Sequence, residues 1–139
     1  MGKQVKIRVQ GIQTGKEGEE IVTETEGMLQ YKAPFYYVSY EEKLDTESDT
    51  LAKTVLKFSD KLLRVTRKGI VESVLEFEEG SLHNSLYMTQ LGNFDVLVNT
   101  RRLSIQNKND VIHIEVEYQI GLNGMVPTDG RIEIQIEKA

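Results

Sequence analysis

Six residues from the middle of the sequence carry the groups best able to do chemistry together: Tyr40, Glu42, Thr54, Arg67, Tyr87 and Thr89. They supply a cation, a carboxylate and several hydroxyls, and each shares a period-two face with other residues of its segment. Tyr36, Val38, Tyr40 and Glu42 fall on one face, Thr54, Leu56 and Phe58 on another, and Arg67 alternates in phase with Leu63 and Val65. Ser85, Tyr87 and Thr89 share a further face, opposed by Leu86 and Met88. Turned inward, these faces would give mostly apolar walls with a few placed polar groups, which is the composition of a small-molecule pocket. Arg67 would then be the charge partner of a small amphipathic or anionic ligand, with Tyr40, Thr54, Tyr87 and Thr89 as hydrogen-bonding groups. The same residues also suit a filled interior. A buried Arg67 must be paired, and Glu42 or a tyrosine hydroxyl would satisfy it without any ligand. A hydrolase or isomerase built on Glu42, Arg67 and Tyr87 would need an open cavity and a shifted carboxyl pKa.

Other constellations do not assemble. His83 and His113 lie on separate segments, opposite their apolar neighbours, whereas zinc or nonheme iron wants three or more convergent ligands. His113, Glu115 and Glu117 form a row that reads as a solvated strand face. Asp45 to Thr50 opens with the carboxylate spacing of a calcium loop, then has Thr50 where glycine is required and Leu56 where the bidentate glutamate belongs. Gly15 to Glu20 lacks the spacing and the Gly-Lys-Ser/Thr of a phosphate loop and reads as a hairpin tip. Ser81 or Ser85 with His83 has no nucleophile elbow around it. The acidic pairs Glu76/Glu78 and Glu115/Glu117 resemble glycosidase acids in residue type alone, with no tryptophan platform beside them. No enzyme, metal site or cofactor is expected.

The elements that must position these residues are strands. Ile112, Ile114, Val116, Tyr118 and Ile120 alternate with His113, Glu115, Glu117 and Gln119, and Ile132, Ile134 and Ile136 alternate with charged or polar residues. Period two gives a strand one dry and one wet face, and no helix can use it. Val5, Ile7 and Val9 repeat the pattern. Glu20–Lys32 reads as a strand with a bend or bulge at Gly27, and Phe35–Glu42 follows the Ala33-Pro34 break. Lys43 to Thr50 reads as an exposed loop. Further strands run Leu51–Phe58, Lys61–Arg67, Ile70–Glu78, Ser81–Gln90 and Phe94–Ile105. Their connectors are short and carry the Gly, Asn and Asp that hairpin turns use, so sequence neighbours pair antiparallel. About ten strands in an up-and-down meander favour closure, because closure removes the two bare edges.

The chain has 139 residues with 39% hydrophobic and 28% charged, suited to one domain over 1–139 with a core of its own. Zero cysteines exclude thiolate chemistry, disulfide frameworks and cysteine metal sites. A net charge of -5 and only two small basic clusters, Lys61/Arg64/Arg67/Lys68 and Arg101/Arg102, argue against nucleic acid. The aromatic segment from Phe35 to Tyr40 has Glu41 and Glu42 as its nearest charges in sequence, unlike the lysine- and arginine-interleaved aromatics of nucleic-acid barrels. No apolar run reaches spanning or signal length, so a cytoplasmic protein without a membrane partner is expected.

The runs Tyr40-Glu41-Glu42, Thr54-Val55-Leu56-Lys57, Arg67-Lys68-Gly69-Ile70-Val71, Phe77-Glu78-Glu79-Gly80 and Tyr87-Met88-Thr89-Gln90-Leu91-Gly92 resemble the YwiB-like family of uncharacterised bacterial lipocalin-like (calycin) β-barrels. The resemblance spans about Val5 to Ile136 and is firmest from Tyr40 to Thr100. It implies a barrel of about ten strands in a small cytoplasmic bacterial protein, and no activity, since the family has no established substrate. The expectation is therefore an all-β, single antiparallel up-and-down barrel. Its interior would bind a small amphipathic or anionic molecule without catalysis. Alternatively its core is filled, and an outer face or loop contacts a protein partner that the sequence does not identify.

Overall fold

In the computed structural model the described residues are 2–13, 19–43, 51–69, 72–89, 92–122 and 128–138; the side chains of residues 12, 13, 19–21, 42, 43, 51, 52, 86, 87, 89, 94 and 122 are outside the description. The expected Gly15–Glu20 tip and Lys43–Thr50 loop fall almost wholly outside it.

Alternation is realised as ten strands: β1 (Lys3–Gln13), β2 (Glu19–Lys32), β3 (Phe35–Lys43), β4 (Leu51–Phe58), β5 (Leu62–Lys68), β6 (Glu72–Glu78), β7 (Leu82–Thr89), β8 (Gly92–Lys108), β9 (Val111–Leu122) and β10 (Thr128–Lys138). Each pairs antiparallel with its sequence neighbours, and β1 pairs with β10 to close the barrel, as the short connectors require. No helix occurs among the described residues, so none is long and apolar enough to cross a membrane. Outer-face positions carry charge, as in the pairs Arg8–Glu24 and Arg64–Glu76, where a lipid-facing barrel would present an apolar belt.

The barrel has two ends of different make-up. At the terminal end lie Lys3 and Lys138, with the turns at Ala33-Pro34 and Asn109-Asp110. Asn109 and Asp110 have φ of 55° and 64°, the backbone a tight two-residue hairpin turn needs. The opposite end is formed where β3 runs out and β4 begins, and where β5 hands over to β6. Between the ends is a solid waist. Ile7, Leu56, Leu63, Phe77, Val98 and Ile114 interdigitate there, and none is more than 1% exposed. At that level the interior is occupied by packed side chains.

Three local features depart from simple alternation. Gly27 was expected to bend or bulge its strand, yet it sits in unbroken register opposite Val5 and Tyr40. The glycine is needed because another backbone approaches: a β-carbon there would lie 2.3 Å from the Ser39 carbonyl oxygen. The bulge is instead in β8, between Thr100 and Arg102. Val96, Val98 and Thr100 face inward before it, and Leu103 and Ile105 after it, so the extra residue keeps a long strand's apolar side on the core. Among the described residues the seam between β6 and β7 has two pairs in register, Glu72↔Met88 and Ser73↔Tyr87. Beyond it the Gly80 and Thr100 amides bond to the Thr100 and Ser81 carbonyls, so the β6–β7 turn is tied to β8.

Tyr118 fills the inner face over Gly130, its register partner, and its ring lies 5.3 Å from that of Phe77. Burial pushes the Tyr118 phenol above the ordinary tyrosine value near 10. The folded state therefore keeps this proton at pH values where the unfolded chain has released it. The corresponding stability is complete below the ordinary value and declines as pH rises through it toward the folded value. Wild type should lose more melting temperature than Tyr118→Phe between about pH 9 and pH 11; parallel losses would show that this phenol does not couple to folding.

Candidate functional site

Of the six candidate residues, four lie in one continuous row of cross-strand neighbours on the inner face. Gly27 faces Tyr40, Tyr40 faces Thr54, Thr54 faces Arg67, Arg67 faces Ser73, and Ser73 faces Tyr87. Directly opposed residues in an antiparallel pair share a sheet face, and Leu56, Leu63 and Phe77 fix that face as the interior. By register Glu42 and Thr89 come one step further along the same face, opposite Ala52 and Gly92. The side chains of Glu42, Tyr87 and Thr89 are outside the description, and register alone places them.

Tyr40 is 6% exposed, Thr54 0% and Ser73 6%, so these hydroxyls belong to the wall of the barrel. Arg67 is half-buried with its Nε sealed from water. Tyr40, Thr54 and Arg67 each make a hydrogen-bonding, ionic or ring contact, as buried polar groups must. With no exposed surface, Thr54 packs beside Arg67 and does not line open space. Ser73 was not singled out from sequence. The signal was there: it continues the inward phase of Phe77 and Leu75 on β6. Among the described residues from the waist to this end, Arg67 is the one lysine or arginine on the inner face. A guanidinium with hydroxyl-bearing residues as its neighbours on both adjoining strands offers the groups that hold a carboxylate or phosphate.

The remaining chemistry-bearing residues are dispersed. His83 does not stand on a solvated face: it opposes the buried Val98 and is half-buried. Its Nδ1 lies 3.6 Å from Glu76 and its Nε2 3.9 Å from Glu78, both beyond hydrogen-bond range. Ser81 gives its hydroxyl proton to Glu78 at 3.0 Å, so no serine–histidine–acid relay forms. His113 is exposed, and Glu115 in its row is engaged by Arg131 at 2.7 Å. Among the described residues no cluster of three or more His, Asp or Glu could hold a metal ion. The aromatic strand also has other neighbours than its sequence implies. The Lys57 ammonium lies 4.3 Å from the Phe35 ring centre and 5.9 Å from that of Tyr37, and Lys32 is 5.9 Å from Tyr37. The nearest charges in space are thus cations from β2 and β4.

The fold is similar to the crystal structure of the ywiB protein from Bacillus subtilis, with a TM-score of 0.86 and 21% identity over 99% of this chain and 93% of that one. At that identity the likeness is one of fold. No curated protein matches the sequence. The profile of a domain of unknown function, DUF1934, matches residues 5–134, and with nearly the whole barrel inside that match, the chain belongs to the DUF1934 family.

Proposed function

We propose that this barrel is a cytoplasmic, non-catalytic binding protein that holds a small anion at its polar end, with Arg67 as the charge partner. The observation that carries this reading is the inner-face row Tyr40–Thr54–Arg67–Ser73–Tyr87, which places one guanidinium among hydroxyl-bearing residues in an otherwise mostly apolar interior. A charge kept at such a position is useful where its partner is also charged and bonded. The filled waist favours a compact anion over an amphipathic molecule with a long tail, since a tail would have to displace Leu56, Leu63 and Phe77. Native mass spectrometry of freshly purified protein tests the reading together with melting curves in phosphate, sulfate and short dicarboxylates. An anion at 100 times its Kd should add ~2.7 kcal/mol, which corresponds to roughly 10 °C in a domain of this size. Arg67→Met should abolish the shift. A bare mass with no shift in any anion would overturn the proposal.

Complete burial of Thr54 favours the second reading, in which the interior is filled and the function lies outside. The outer face around Phe35 and Tyr37, with Lys32 and Lys57 over the rings, is the surface such a protein partner would meet.

A further inference from the structure

The terminal end of the barrel holds a recess of about 240 Å3 that does not involve the Arg67 row. Its floor is the aliphatic inner face, with Val5, Ile112 and Ile136 among the lining residues, and Tyr36 forms one wall. Tyr36 is fixed: the Phe58 ring stacks on it at 5.4 Å with 13° between planes, and Tyr31 leans on it at 4.6 Å. The rim carries Lys3 and Lys138 against Asp110 and Glu137, so its charges cancel. Asn107 adds an amide, and the tight Asn109-Asp110 turn holds Asp110 in place.

An apolar cavity of roughly 150 Å3 in another protein takes up benzene, so this volume has room for a larger ring system. A recess with an apolar floor, a stationary aromatic wall and a few polar rim groups needs little rearrangement to accept a ligand. Cancelling rim charges disfavour a net ion, and the Asp110 and Asn107 oxygens are acceptors for a donor on the ligand. We propose that this end is a second, independent site for an uncharged one- or two-ring molecule carrying an N–H or O–H donor.

The absence of tryptophan from the chain makes indole a direct probe, because excitation to the red of the tyrosine band reads its fluorescence alone. Saturable binding is expected with a Kd on the order of 1 mM or tighter. Isoleucine methyl resonances should shift at Ile112 and Ile136. Asn107→Phe, at an exposed rim position, should weaken binding roughly tenfold or more by filling the mouth. Arg67→Met should bind indole like wild type, which separates this site from the one proposed above. Indole-3-acetate should bind no tighter than indole. Any of four results overturns the proposal: no saturable binding up to the solubility limit, methyl shifts confined elsewhere, loss of binding in Arg67→Met, or a clear preference for the anion. Should Asn107→Phe fail to fold, the methyl shifts of the wild-type protein decide alone.

Discussion

Gly27→Ala should lower stability by about 3 kcal/mol, on the order of 10 °C in melting temperature. Taken by itself, replacing a strand glycine with alanine helps a protein, since it removes freedom from the unfolded chain and gains about 0.4–1 kcal/mol. At this site sterics reverse the sign. The new methyl would meet the Ser39 carbonyl oxygen at 2.3 Å and the Ile7 Cδ1 at 2.8 Å. Ile7 can adjust by a rotamer change, but Ser39 is backbone in the neighbouring strand, and moving it would break the ladder that brings Tyr40 opposite Gly27. Gly11 is the internal control. It lies on the same inner face of β1, with nothing within 4 Å of where a β-carbon would go, so Gly11→Ala should be neutral or stabilising. Gly130 is intermediate, because the atoms in its way are the far end of the Tyr118 ring, which can swing aside. Thermal melts of the three variants should rank Gly11→Ala above Gly130→Ala above Gly27→Ala. Equal melting temperatures for the first and last would remove the close approach as the reason for glycine at position 27.

That glycine also marks where the sequence becomes ambiguous. A glycine in an alternating strand reads the same whether it serves a bulge or a close backbone approach, and only the position of Ser39 in space separates the two. That Tyr40, Thr54 and Arg67 share faces with Val38, Leu56 and Val65 is legible because the alternation through β3, β4 and β5 is unbroken. That these faces point inward is not legible: alternation gives two faces, and only the burial of Val38, Leu56 and Leu63 says which one is inside. The β8 bulge is not legible either. In Val98-Asn99-Thr100-Arg101-Arg102-Leu103 the polarity shows that the phase must change, but not which residue is surplus. Lys57 beside Phe35 is not legible for a related reason: the two are near only because β3 and β4 pair with this register, which puts Tyr37 opposite Lys57.

The packed waist gives the molecule its two-ended character. Interiors of small barrels can be filled by side chains or left open for a ligand, and this one is filled in the middle and polar or recessed at its ends. On the two proposals above each end takes its own small molecule, and the packed waist leaves neither the depth for a long one. The two proposed sites have opposite charge preferences for the same reason. Arg67 is a single cation on an inner face, whereas at the other rim Lys3 and Lys138 are offset by Asp110 and Glu137.

Phe77→Ala should have the largest effect of any single substitution considered, a loss of about 3–5 kcal/mol. Phe77 is 1% exposed and belongs to β6, which among the described residues has the fewest register pairs to a neighbouring strand. Among the described residues six pairs tie β6 to β5 and two tie it to β7. Beyond those pairs the β6–β7 turn is tied to β8 through the backbone of Gly80, Ser81 and Thr100, and the Phe77 ring reaches past the seam to Tyr118 of β9. Removing the ring leaves a cavity in the waist and takes away the contact that spans the seam, so the transfer and cavity penalties fall on the same strand. A domain with a total stability of about 5–15 kcal/mol would be left near its folding threshold. Hydrogen exchange should locate the damage. Amides of β6 and β7 should lose protection first, while β9 and β10, paired along their length through Ile114↔Ile134, keep theirs until global unfolding. Phe77→Leu, which refills most of the volume, should lose far less and leave the exchange pattern intact. Uniform loss of protection across all ten strands in Phe77→Ala would mean that the seam is no weaker than the rest of the barrel. The waist would then be held by the ladder as a whole and not by the ring that crosses it.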